Sequence, residues 1–413
     1  MSTNGKIYQI LRYTQKYTGT DNVYLAHGGF WLTLQKLASF LSILSAIAFA
    51  NLLSKEVYGT YQYVLSIAAI LAIPTLQSMK AAITQAVARG YEGSLYPAFW
   101  TKIKWSLIGS LASLGMAAFY FFRSNPTLGY AFLVVALLLP LLNPFSLYAS
   151  YLEGKKSFKL LSIYAIASTV ISIAAIILIV YLTKNVPLII FGDFAIQIAV
   201  SAFFFRIVTK KFPPNKARDE KTIPFGTRVS FIKIIPTIAR ELDQVLIWHF
   251  LGPAQVAIYA FAQKIPNQIS DNLSVLNQIA FPKMSALSKE ELRQKLPKKV
   301  LRLYAFVIPL TILYLLLIPF VFHTFFPRYQ DTILYAQAFS FFIFLFPLSF
   351  VGQTFDAKMQ EKNIFLTSVF SPLIRITLLI ILTPIFGLWG VVLTRLINSV
   401  ATNTLGVFLF LKK

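Results

Sequence analysis

The sequence contains no cysteine, so neither a disulfide framework nor a thiolate metal site can organise it. Acids are scarce, 15 Asp and Glu against 38 Lys and Arg. Histidine occurs three times, at positions 27, 249 and 323, and never with the spacing of a helical zinc site. Phosphate-loop and dinucleotide glycine patterns are missing as well. Charged residues make up 13% of the chain, about half the share in a soluble protein. These shortages leave little for catalysis and exclude an ordinary soluble domain.

Hydrophobic residues make up 57% and fall in runs of about twenty, the length a helix needs to cross a hydrocarbon core of about 30 Å. The runs are too long and too uniform for barrel strands, which alternate. The expected fold is an all-α integral membrane protein with about twelve transmembrane helices. They are read at 30–50, 58–79, 104–122, 128–149, 160–182, 187–207, 229–250, 255–281, 301–322, 332–354, 364–385 and 387–411. Apolar periodicity continues past Lys80 toward Arg89, so the second helix is expected to be long.

The loops support this count. With alternating sides, one set of loops and ends holds 29 of the 38 Lys and Arg. The other set holds four, Lys55, Arg123, Lys184 and Arg328. By the positive-inside rule both termini are cytoplasmic and the chain is a multi-pass protein of the cell inner (plasma) membrane. The net charge of +23 then reflects orientation and attraction to anionic lipid headgroups, not a nucleic-acid partner. The first long apolar run begins near Phe30 and spans a full bilayer, unlike a cleavable signal. In the tail 1–26, Ile7, Ile10, Leu11 and Thr14 share a face opposite Lys6, Arg12 and Lys16. An interfacial helix or a plain tail fits equally.

The longest polar interruption, VTKKFPPNKARDEKTIPFGTR (208–228), reads as a cytoplasmic linker. It separates an N-terminal six-helix bundle, 27–207, from a C-terminal one, 229–413. NLLSKEVYGTYQY (51–63) aligns without gaps with HFLGPAQVAIYAF (249–261), matching Leu53 to Leu251 and Tyr61 to Tyr259. Even span numbers make the halves parallel repeats, an arrangement that places a transport site between them. Nine prolines fall within spans, among them Pro74, Pro140, Pro347 and Pro372. They bend helices, as a cavity requires.

Charges inside the spans are the candidate site, because each costs about 2.5–3.5 kcal/mol near the bilayer centre on insertion scales. The cations are Lys80, Arg240, Lys264, Arg375 and Arg395; the acids are Asp193, Glu241, Asp243 and Asp271. In TIARELDQVLIWHF (237–250), Arg240, Asp243 and Gln244 share a face and Glu241 points about 100° away. Asp243 is expected to pair with Lys264, across the turn at Gly252 and Pro253, or with Arg240. Arg375 and Arg395 have no acid in their own helices. Cations in excess suit an anionic passenger, and guanidinium forks suit phosphate. Lys80 either lines the cytoplasmic mouth or snorkels to the headgroups. Asp193, with Gln197 one turn on, either binds a coupling cation or secures a helix contact.

The run KLASFLSILSAIAFANLLSKEVYGTYQYVLSI (36–67) resembles the start of the polysaccharide repeat-unit flippases, often called Wzx-type. LDQVLIWHF (242–250) and FLGPAQVAIYAFAQKIP (250–266) resemble their seventh span and its turn. The resemblance implies the fold of the multidrug/oligosaccharidyl-lipid/polysaccharide (MOP) superfamily, two six-helix bundles around a central cavity, as in the MATE drug antiporters. It implies a passenger, an undecaprenyl-diphosphate-linked oligosaccharide moved from the inner to the outer leaflet, with polysaccharide-assembly proteins as partners. Arg240, Lys264, Arg375, Arg395 and Lys80 would contact it. Glu241, Asp243, Asp271 and Asp193 are candidate groups for H⁺ or Na⁺ coupling. No other cofactor and no catalysis are implied.

A drug or cation antiporter of the same fold is the nearest alternative, disfavoured by the five cations against four acids within spans. A membrane glycan polymerase or ligase would need an outside loop to hold its chemistry. The longest outside loop here is HTFFPRYQD (323–331).

Overall fold

A computed structural model describes residues 30, 31, 33–358 and 360–412. The tail whose interfacial helix was considered above lies outside the described residues. Among those described, helices account for nearly the whole chain and no strand occurs. Eight helices are long and apolar enough to cross a membrane: Thr33–Leu52, Glu92–Phe122, Pro126–Gly154, Phe158–Leu182, Val186–Lys211, Lys289–Phe325, Pro327–Ala357 and Val369–Leu411. The pair Lys55–Leu71 and Ile73–Ala88, bent by 53°, forms a ninth. Ile234–Leu251 and Pro253–Ala286 are helices of spanning length held below that threshold by their polar residues. The last helix, Glu361–Leu411, breaks at Gly387 (φ 59°, ψ −136°) and divides in two. Numbered in chain order, these are spans 1 to 12, and all twelve expected spans have a helical counterpart.

Local sequence sets the ends. The Ser54 hydroxyl accepts the Val57 N–H and starts span 2; Asn125 and Asn185 do the same for Leu128 and Leu188 in spans 4 and 6. Each supplies an acceptor that a helix N-terminus otherwise lacks. Ser288 and Glu291 form a reciprocal capping box at span 9. Span 7 ends at Gly252 (φ 87°), a conformation that favours glycine, and Pro253 opens span 8 directly after it.

Span 2 does run on to Ala88, but not as one rod. Ile73–Thr75 forms a 3₁₀ turn with Pro74 inside it, and Leu76 is left-handed (φ 54°). The break frees carbonyls, and a lysine meets them. Lys102, counted above among the cytoplasmic loop charges, is fully buried in span 3. Its Nζ donates to the Thr75 and Leu76 carbonyls at 2.6 and 3.1 Å.

The stretch 208–228 is also less of a linker than its composition suggests. Span 6 continues to Lys211, and the helix Thr222–Ile232 begins inside it. Its coil is anchored to the first half. Arg89 bridges Asp219 at 2.5 Å, and the Asn215 side chain donates to the Gly90 carbonyl at 2.8 Å. The Lys221 amide foremost, and the Arg89 charge after it, hold the Asp219 carboxyl below its ordinary range.

The halves meet through the repeated turns. Tyr58 stacks on Phe261 and Tyr63 on Trp248, each with ring centroids 4.5 Å apart. A Cβ on Gly59 would lie 1.8 Å from the Pro253 carbonyl oxygen, so only glycine allows spans 2 and 8 this close. At the same face Lys55 pairs with Asp331 at 2.6 Å, and the Asn51 amide donates to the Phe325 carbonyl at 2.9 Å.

Candidate functional site

The charges of the C-terminal half are drawn together by four spans. Asp243 of span 7 is 2% exposed, and its partner is Arg375 of span 11. The contact is a fork: Nε donates to Oδ1 at 3.2 Å and Nη2 to Oδ2 at 2.6 Å. Bidentate geometry of this kind is the strong form of a carboxylate–guanidinium pair. Tyr259 of span 8, buried, donates its hydroxyl to the same Oδ2. Arg395 of span 12 donates through Nη1 to the Tyr259 oxygen at 3.3 Å and to Gln263 Oε1 at 2.5 Å. Its guanidinium also lies over the rings of Phe339 and Phe342, 5.1 and 4.9 Å from their centroids. Such contacts support a cation without neutralising it.

This corrects three expectations. Asp243 pairs with neither Lys264 nor Arg240. The turn at Gly252 sets Tyr259 beside Asp243, and Lys264 lies five residues beyond, about 7.5 Å along the helix axis at 1.5 Å per residue. Arg375 is not an unpaired cation; its acid comes from another helix, where inspection of its own helix could not find it. Arg240 and Glu241, expected to face apart, pair with each other at 2.8 Å, with the Arg240 side chain 61% exposed. Adjacent long side chains can curl toward one another although their Cβ atoms diverge.

The remaining candidates stay outside the cluster. Lys264 is half-buried, and Lys80 and Asp271 are exposed. None of the three forms a salt bridge among the described residues. Gln244, expected to join Arg240, has its buried side-chain oxygen without a hydrogen-bond partner. Asp193 stands apart in the N-terminal half. It accepts the Tyr61 hydroxyl at 2.8 Å and the Gln197 amide at 2.9 Å.

Arg375 and Arg395 border a cavity of ≈ 250 Å³ with Ser371, Asn398, Ser399, Thr402 and Asn403. Thr402 and Asn403 also line a neighbouring cavity of ≈ 440 Å³ that includes Asn277, Ser349, Gln353 and Asp356. Buried side-chain oxygens of Asn277 and Gln353 have no hydrogen-bond partner. Together the two cavities offer guanidinium donors at one end, and hydroxyls, amides and the Asp356 carboxylate along the rest. Every lining residue belongs to the C-terminal half.

Of the charges singled out in the sequence, the structure joins Arg375, Arg395 and Asp243 in one network and sets Asp193 in another. Sequence reasoning passed over the roles of Tyr259, Tyr61 and Gln263, and it misplaced Lys102. The repeat alignment carried a signal for the tyrosines, since Tyr61 and Tyr259 are matched positions. Gln263, one helical turn after Tyr259, carried none beyond its polarity.

Solved structures that resemble the chain include transporters. A MATE protein in complex with MaD5 matches with TM-score 0.62 at 12% identity, over 98% of this chain and 97% of that one. The lipid II flippase MurJ, in an inward closed conformation, matches with TM-score 0.60 at 14% identity, over 91% and 87%. A MOP superfamily transporter from Pyrococcus furiosus, described as having a binding pocket of reverse polarity, matches with TM-score 0.59 at 14% identity, over 93% and 95%. At these identities the likeness establishes the fold, that of the MOP transporters. Among curated proteins, no sequence matches. The family model for polysaccharide biosynthesis protein matches residues 48–333, more than half of the chain, and the chain belongs to that family.

Proposed function

We propose that this protein is a flippase for a lipid-diphosphate-linked oligosaccharide, the repeat unit of a polysaccharide such as an O-antigen on an undecaprenyl carrier. The family is one of polysaccharide biosynthesis, and a fold shared with MATE transporters and MurJ supports a membrane transporter. The lipid-linked passenger, the ion coupling and the inner-membrane orientation with cytoplasmic termini are the further content of the proposal. The observation that carries it is the cavity behind Arg375 and Arg395. Arg375 is paired with Asp243 while Arg395 meets a phenol and an amide oxygen, leaving net positive charge beside a surface of hydroxyls and amides. A diphosphate matches the first feature and a sugar chain the second, while the polyprenyl tail stays in lipid. The passenger enters from the cytoplasmic leaflet and the halves rock about the contact between their repeated turns. Asp193, whose partners are a phenol and an amide, is the group assigned to the coupling H⁺ or Na⁺. MurJ is described as a flippase of lipid II, a relationship that supports this class of passenger.

The test uses proteoliposomes carrying a fluorescent polyprenyl-diphosphate oligosaccharide and a membrane-impermeant reagent that reports its leaflet. Wild type is expected to expose the headgroup. Arg395→Gln is expected to slow exposure at least tenfold, on the order of the 1.5–3 kcal/mol of a hydrogen bond to a charged group. Arg240→Ala, at an exposed ion pair, is expected to flip normally. Equal rates for wild type and Arg395→Gln would remove the site from the path. A wild type that moves cationic dyes and no lipid-linked glycan would make the protein a drug antiporter instead.

A further inference from the structure

A second cavity, ≈ 460 Å³, lies at the face that carries the C-terminus and shares no lining residue with the Arg375 and Arg395 cavity. It sits where spans 9 and 11 begin and spans 10 and 12 end. Two helix starts and two helix ends largely cancel as dipoles, so its character comes from side chains. Five are cations, Lys289, Arg293, Lys358, Lys362 and Lys412, and one is an acid, Glu290.

The way these cations are held matters. Arg293 donates through Nε to the Phe410 carbonyl at 3.2 Å and through Nη2 to the Lys412 carbonyl. Lys358 donates to the Ser285 carbonyl at 2.8 Å. Neutral carbonyls therefore position two of the five charges, and with one acid in the lining the cavity keeps an excess of positive charge. Among the described residues none of the five is in a salt bridge with a carboxylate. The nearby acid Glu291 is engaged elsewhere, by Lys295 at 2.9 Å and by its capping box. Five like charges around one concavity repel one another unless an anion occupies it. The buried side chains of Leu292 and Thr354, with Gln360, Asn363, Leu409 and Phe410, complete the lining. The volume is that of a small-molecule pocket.

The position selects the anion. Lys412 directly follows the last residue of span 12, Leu411, so the cavity opens at the depth of lipid headgroups. We propose that this cavity binds the phosphate-bearing headgroup of a membrane lipid. That chemistry has two sources, an anionic phospholipid of the leaflet or the diphosphate of the carrier lipid docking before it enters. The second source rests on the transport reading above; the first does not.

The test uses the full-length protein and native mass spectrometry with three lipids: phosphatidylglycerol, a sugar-free polyprenyl diphosphate and zwitterionic phosphatidylcholine. The variant combines Lys289→Gln, Lys362→Gln and Lys412→Gln, all exposed. The control combines Lys210→Gln, Lys211→Gln and Lys216→Gln, equally exposed near the same face. At about 1 kcal/mol for each lysine near an anionic surface, the variant should bind a phosphate lipid about tenfold or more weakly. The control should not, and Arg at the same three positions should restore binding. Loss for both phosphate lipids identifies a phospholipid site; loss for the polyprenyl diphosphate alone identifies a dock for the carrier. Unchanged affinity for both, an equal loss in the control or failure of Arg to rescue overturns the proposal. Headgroup binding lost in the variant of a protein that flips no glycan lipid would sink the transport reading and leave this site standing.

Discussion

The two halves carry the same tyrosine in the same place, each phenol donating to an aspartate, and differ in the charge that surrounds the pair. Tyr61 and Tyr259 are matched positions of the repeat, and in each half the sixth span supplies the charged side chain that meets the phenol. In the N-terminal half it is the acid Asp193. In the C-terminal half it is the cation Arg395, and Asp243 and Arg375 extend the network. One half therefore holds a single carboxylate among neutral partners, and the other holds a carboxylate–guanidinium pair with a second guanidinium on the phenol. The two halves set a polar node at matched positions, and the nodes differ in net charge. Under the proposed function, the acidic node would take the coupling cation and the basic node the phosphate.

Three perturbations test that division, in order of size. Arg375→Met should have the largest effect, because it strands the buried Asp243 carboxylate. Breaking a buried pair from one side costs about 3–5 kcal/mol, to be read as a fall in the detergent-solubilised melting temperature together with loss of flipping. The double variant Asp243→Asn with Arg375→Met should regain most of the stability and none of the transport. If Arg375→Met is as stable as wild type, the C-terminal node is not the closed network described here.

Asp193→Asn should come next and act differently. The amide still accepts from Tyr61, so the expected stability change is within about 1 kcal/mol, the scale of one hydrogen bond. Gradient-driven flipping should fall to the level of passive exchange while lipid binding is kept. A variant that still responds fully to an imposed H⁺ or Na⁺ gradient would move the coupling role to another acid.

Lys55→Gln should have the smallest effect. The Lys55–Asp331 pair joins the halves, but its side chains are 27% and 49% exposed, and such pairs contribute about 0–1 kcal/mol. Thermal unfolding should barely shift. A shift of several kcal/mol would show that this ion pair, and not the aromatic stacking of Tyr58 on Phe261, holds the turns together.

Much of the architecture was legible in the residues. Runs of apolar residues fix span number because hydrocarbon thickness fixes helix length, but not helix ends: span 9 starts at Lys289, behind the Ser288 cap and well before its apolar run at 301. The candidate site was legible only as an inventory. Arg375, Arg395, Asp243 and Asp193 stood out because intramembrane charge is costly, whereas their pairing did not follow from helix periodicity. Arg375 lies 132 residues from Asp243, and no local spacing rule reaches that far. Lys102 shows the same limit from the other side. It reads as a loop cation by its place near the end of a run, yet the break at Pro74 draws it inside.

The sequence alone therefore determined that this chain is a membrane protein of about twelve helices in two related halves, because hydrophobic length is a local property. The tertiary structure decided which charges neutralise one another, which stay free beside a cavity and where Lys102 is buried. Those depend on which faces of distant helices meet, and packing across four spans sets that.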